Sequence, residues 1–197
     1  MKKIALSLAA AVSTLAFTGP AVAQQRPVVL VVDTDSIGST CTACKAAATQ
    51  IQQKEAALSA RAQQLRTQLQ TEGKPIQDAL DALSGKQPDA ALQTRITAFQ
   101  TKERNANTEL NNAQRTHQST LANVNQQIAS KLLQVVEQIR ARRGASIVVS
   151  KGGTLANDTS IDITGEALAA LNQQLPAVSV VPLPQAQQAP QTKPQGR

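Results

Sequence analysis

Two cysteines stand three residues apart in the stretch STCTACKAA, residues 39–47. The spacing C-x-x-C, here Cys41 and Cys44, serves three kinds of chemistry: a thiol–disulfide redox centre, half of a zinc site, or a local covalent staple. The chain has no other cysteine and one histidine, His117. Zinc takes four ligands, and one chain offers two thiols and a distant imidazole. A metal would therefore need cysteine pairs from several chains meeting on an axis, and neither a metal nor another cofactor is expected. A redox centre would need a thioredoxin-like α/β domain around the pair, which the order of elements given below does not supply. Residues three apart on a helix have Cα atoms roughly 5–6 Å apart, inside disulfide range. A helix N-terminus and the adjacent Lys45 would favour the thiolate. Cys41 and Cys44 are thus the disulfide candidate, closing a loop so short that it constrains little of the unfolded chain.

The other reactive residue types point to structure. His117 falls on an apolar stripe and reads as a seam histidine. Asp33 and Asp35 resemble an acid pair, but an Asp- and Ser-rich turn before a helix is ordinarily capping. No nucleophile–base pair and no phosphate-binding G-x-x-x-x-G-K-[ST] loop is present, so no catalytic residue is assigned and the chain reads as a non-enzyme.

The elements that would position the cysteines begin after a targeting segment. Lys2 and Lys3 precede an apolar run, residues 4–17, then Gly19, Pro20 and the small-residue signature Ala21-Val22-Ala23. A bilayer-spanning helix takes ~20 residues, so residues 1–23 read as a signal peptide and the protein as exported, to a bacterial periplasm where disulfides form. Beyond it Phe99 is the sole aromatic residue. Aromatic-poor chains rich in Ala, Gln, Leu, Lys and Arg belong to long helices and coiled coils, and shaped small-molecule pockets are not expected. Residues 45–143 hold fourteen Lys and Arg against eight Asp and Glu, a net of +6. A basic helical region draws anionic partners such as an anionic lipid surface or acidic polypeptide. Nucleic acid is excluded by export and by the lack of aromatic platforms for stacking bases.

Residues 28–32, VVLVV, read as a buried strand, and DTDSIGST as a turn. A heptad pattern follows: Ala48, Glu55, Ala62, Leu69, Ile76 and Leu83 on one position, Ile51, Leu58, Leu65, Glu72 and Ala79 on the other. Glu55 and Glu72 interrupt the seam, and Gly73 and Pro75 predict a kink or break. After a turn at residues 84–88 the return limb runs Leu92, Ile96, Phe99, Glu103, Ala106, Leu110, Ala113, His117, Leu121, Val124, Ile128, Leu132, Val135 and Ile139, in steps of three and four. RARRG closes it, with Gly144 as C-cap. ASIVVS reads as a second strand and TLAND as a third with its turn. A short helix follows with Thr164 as N-cap and Glu166 in its first turn, and Pro176 ends it. The fold class is α+β: a small β body (residues 24–40 and 144–175), a long antiparallel helical hairpin or coiled-coil arm (41–143), and a Pro/Gln-rich tail (176–197) predicted to be disordered. So small a sheet cannot bury enough surface alone, and oligomerisation is the usual remedy.

This order, with VVLVVDTDSI at the front and ASIVVSKGGTLANDTSIDITGEALAALNQQLP at the back, resembles the OmpH/Skp family of periplasmic chaperones. The most specific match is the C-terminal block with its DIT motif, Asp162, Ile163 and Thr164, while CKAA, residues 44–47, stands where many members read Gly-Lys. The resemblance implies a homotrimer whose arms surround a cavity that holds unfolded outer-membrane β-barrel proteins without ATP. On that basis the client-facing candidates are Leu65, Leu69, Lys74, Lys86, Arg95, Phe99, Lys102 and Arg104. A coiled-coil envelope spacer or tether would use the same seam and basic face. A departure from the family is the length of the Pro/Gln-rich tail.

Overall fold

A computed structural model describes residues 27–184. The signal-peptide expectation, residues 1–23, lies outside the described residues, as does the part of the tail beyond residue 184. The chain runs β1 (Val29–Val32), α1 (Thr34–Thr40), α2 (Thr42–Ala82), α3 (Ala90–Arg142), β2 (Ile147–Ser150), two single 3-10 turns (Lys151–Gly153 and Thr159–Ile161) and α4 (Thr164–Gln174).

β1 and β2 pair in parallel, Val29 with Ile147 through Val32 with Ser150. A parallel pair needs a crossover, and here the crossover is the whole helical hairpin. α2 and α3 have 41 and 53 residues, roughly 60 and 80 Å at about 1.5 Å per residue. Their turn relies on backbone that only permissive residues adopt readily: Ser84 and Gly85 have φ of 46° and 88°. Asp89 then caps α3, its carboxylate accepting from the Leu92 amide at 2.7 Å. At the other end Gly144, φ 61°, allows the Ala145 amide to donate to the Arg140 carbonyl.

The heptad pattern holds along the hairpin. Every return-limb seam residue from Leu92 to Ile139 named above is buried or half-buried. On α2 the seam is closed from Leu58 outward, whereas Ala48 and Glu55 near the body are exposed. Gly73 and Pro75 do not break α2, which is continuous through both. Gly73 instead makes room for Phe99, since a Cβ there would stand 2.8 Å from Phe99 Cζ.

The core sits at the root of the arm. Leu30, Val32, Ile37, Cys41, Cys44, Val135, Ile139, Ile163, Ala167 and Leu171 form one buried cluster. The DIT motif fastens it. The Ile163 amide donates to the Val31 carbonyl at 2.8 Å, Thr164 Oγ1 accepts from the Asp33 amide at 2.9 Å, and Asp162 accepts from the Thr164 amide and from Lys151 Nζ.

Four expectations are corrected. DTDSIGST is a helix, α1, because the Asp33 carboxylate caps it through the Ser36 amide at 2.8 Å. TLAND forms no strand: only one bridge, Val31 to Asp162, adds to the sheet, and Leu155 is fully solvent-exposed. Thr164 is the first residue of α4 and not its cap, its hydroxyl being engaged by β1's end. The tail is ordered as far as residue 184, with Val178 and Val180 buried against the return limb, since alternating valines supply apolar surface that composition averaged over the whole tail conceals.

The helical arm and its root as the candidate functional site

The arm is built from side chains that the heptads bring together. Leu65 is buried at 7% exposure between the helices, and Leu69 and Phe99 are half-buried beside it. With Ala62, Ala106 and Leu110 they line a shallow groove of about 400 Å³ along the hairpin. Leu65 faces the opposite helix and lies at the floor of this groove. Phe99 also lines a neighbouring groove with Pro75, Ile76, Arg95 and Lys102.

The charged interruptions of the seam are answered across the hairpin. Glu72 accepts from Lys102 Nζ and from Gln68, and the Lys102 bond lowers its pKa more than the Gln68 one. Glu55 stands 3.1 Å from His117 Nε2, whose ring is 12% exposed. Arg61 and Glu109 make a two-pronged pair at 2.6 and 3.1 Å, which lowers the Glu109 pKa and raises that of Arg61. Such exposed pairs set register more than stability. Of the basic candidates, Lys74 pairs with Asp78 on its own helix and Lys102 with Glu72. Lys86, Arg95 and Arg104 are exposed and form no ion pair among the described residues. The outer arm thus pairs a narrow apolar groove with cationic groups that form no ion pair among the described residues.

At the root, Cys41 ends α1 and caps α2, its sulfur accepting from the Cys44 amide at 3.0 Å. The two cysteines are joined as a disulfide with Cα atoms 5.1 Å apart. Both are buried, at 1% and 5% exposure, against the Ile37–Ile139 core. Glu166 in the first turn of α4 receives Arg142 and Arg143 from the end of α3, both at 2.8 Å. Those bonds hold its pKa below the ordinary carboxylate range. Asp162 is lowered to about 2, first by Lys151 and then by the Thr164 hydrogen bonds.

Sequence reasoning missed the strap formed by residues 177–184 and the α3 side chains that hold it: Ser119, Asn123 and Gln127. The signal was present as Val178-Ser179-Val180, apolar and polar in alternation. No group of three or more His, Cys, Asp or Glu placed to hold a metal occurs among the described residues.

The family described as "Outer membrane protein (OmpH-like)" matches this sequence over residues 28–171. No curated protein matches it. Among solved structures, the fold is similar to that of a Caulobacter crescentus CB15 protein assigned provisionally as an outer membrane chaperone (OmpH-like), determined at 2.83 Å. The two share 20% identity with a TM-score of 0.67, over 86% of this chain and 96% of the other.

Proposed function

Because the chain belongs to the OmpH-like family, we propose that it is a periplasmic, ATP-independent holdase, which assembles as a homotrimer and keeps unfolded outer-membrane β-barrel proteins between its arms. The observation that carries this reading is the imbalance between arm and body. Two four-residue parallel strands support helices of 41 and 53 residues. Parallel strands are normally covered on both faces, and a two-stranded sheet is marginal alone. Here Val29 and Ile147 on that sheet are 39% and 49% exposed, Val28 just before β1 is 43% exposed, and Leu133 on α3 is 70% exposed. Those side chains are the surface that further copies of the chain would cover. The arm's grooves are open along the hairpin, and with its free cations they suit many weakly bound, acidic segments.

The test is dilution of a urea-denatured outer-membrane β-barrel protein into buffer with and without the mature chain, without nucleotide, followed by light scattering. Scattering should stay low with the chain present, and protection should weaken between about 0.05 and 0.5 M salt as the arm's charges are screened. Aggregation unaffected by a molar excess of the chain would favour the spacer or tether reading.

A further inference from the structure

Beyond Pro176 the chain turns back and runs outward along α3, from the body toward the arm. Three α3 side chains spaced four apart meet its backbone. The Gln127 carboxamide accepts from the Ser179 amide and donates to the Ser179 carbonyl, both at 3.0 Å. Asn123 Nδ2 donates to the Val181 carbonyl at 2.9 Å, and Ser119 Oγ accepts from the Leu183 amide at 3.0 Å. Alternate residues of the strap therefore meet successive turns of the helix. Four helical residues rise about 6 Å and two extended residues advance about 6.6 Å, so the two repeats stay in step over three rungs. Val178 and Val180 are buried at 8% exposure each, while Val181 is 54% exposed.

All four bonds go to the strap's peptide groups and none to its side chains. A row that reads backbone, with Val178 and Val180 buried on either side of its first rung, makes no demand on the identity of the side chains at the rungs. Alternation of apolar and polar residues is the pattern that barrel strands carry. We propose that the row Ser119, Asn123 and Gln127 is a binding site for an extended, alternately apolar polypeptide segment, and that residues 178–183 fill it as a tethered stand-in until a client segment displaces them. The nature of the displacing segment rests on the holdase reading; the site itself rests on the strap.

A tethered occupant competes at an effective concentration in the millimolar range. A free peptide of the same sequence should therefore bind poorly until the strap is released. The probe is a fluorescein-labelled peptide with the sequence of residues 177–184, AVSVVPLP, titrated into the full mature chain and into the double variant Val178→Asp, Val180→Asp. The released variant should bind the peptide at least tenfold more tightly than the parent. Adding Asn123→Ala and Gln127→Ala to it should remove that gain. Equal binding by parent and released variant would overturn the proposal and leave the strap a fixed clamp. Hydrogen exchange on the unmodified protein gives a second decision that needs no variant to fold. Adding the denatured barrel chain should speed exchange at the Ser179 and Leu183 amides while the β1 and β2 amides stay protected. Strap amides that stay protected while the client is held would contradict the exchange. If the intact chain holds no barrel protein at all, the holdase reading falls, and the peptide titration still decides the site.

Discussion

Asp162 joins three elements: its carboxylate accepts from Lys151, after β2, and from the Thr164 amide that opens α4, while its backbone bridges to Val31 in β1. Its folded pKa of about 2 lies below the model-peptide value of 3.8. A depressed acid stabilises the fold above its unfolded pKa and loses that contribution as pH falls through the folded value. The melting temperature of the body should therefore fall between about pH 4 and pH 2, and Asp162→Asn should lower it at pH 7 while flattening that acid limb. An acid limb unchanged by the substitution would show that Lys151 and Thr164 do not hold the charge. The cysteines make a second case at this scale. A loop of four residues stabilises by about 2 kcal/mol in the chain-entropy account, but both sulfurs are also buried in the core. Cys41→Ala with Cys44→Ala should therefore cost about 2–4 kcal/mol in denaturant unfolding, with client protection retained. Loss of protection with fold and assembly intact would make the pair part of the mechanism. The closeness of Cys41 and Cys44 was legible from their spacing, although Cys41 caps α2 from outside the helix and so the two do not share the helical geometry the spacing suggested. The burial of both was not, since it depends on Ile37 and Ile139, residues far apart in sequence.

At the scale of elements, the seam was the most legible feature, because an apolar stripe in steps of three and four leaves a return helix only one face to bury. What escaped was local: α1 formed where turn residues predominate, since a single Asp33 cap suffices, and TLAND failed as a strand because it lacks a covered face. Gly73 shows how an element-level prediction can reverse in meaning. It signalled a kink, yet its missing side chain seats Phe99. Replacing an interior glycine by alanine favours a helix by about 1 kcal/mol, but here the new methyl must displace the Phe99 ring. Gly73→Ala should thus stabilise the arm less in the parent than in a Phe99→Ala background, by about 0.5–1 kcal/mol in thermal unfolding followed by circular dichroism. Equal effects in both backgrounds would mean that the two residues are not coupled. The strap escaped because its partners, Ser119, Asn123 and Gln127, are polar and lie off the apolar stripe.

At the scale of the molecule, the exposed valines and isoleucine at a two-stranded sheet are the apolar surface that the proposed trimer would cover. Light scattering should give three times the mass of the mature chain, and Val29→Asp with Ile147→Asp should lower that mass. A folded monomer at micromolar concentration would contradict the trimer, and a dimer would favour a tether. The arm is the other half of the account. Arg61 opposite Glu109 and Glu55 opposite His117 fix which residues face each other, so deleting residues 66–80 and 92–106, with the native turn at residues 81–91 kept, shortens the hairpin by equal lengths on both limbs. This variant retains the body, the disulfide and the α3 row that holds the strap. The most direct measurement is suppression of aggregation of a urea-denatured outer-membrane β-barrel protein by the intact and shortened chains, at equal concentrations of assembled protein. Protection by the intact chain, lost in the shortened one at unchanged oligomeric mass, is the predicted result; equal protection by both would contradict the claim that the arms hold the client.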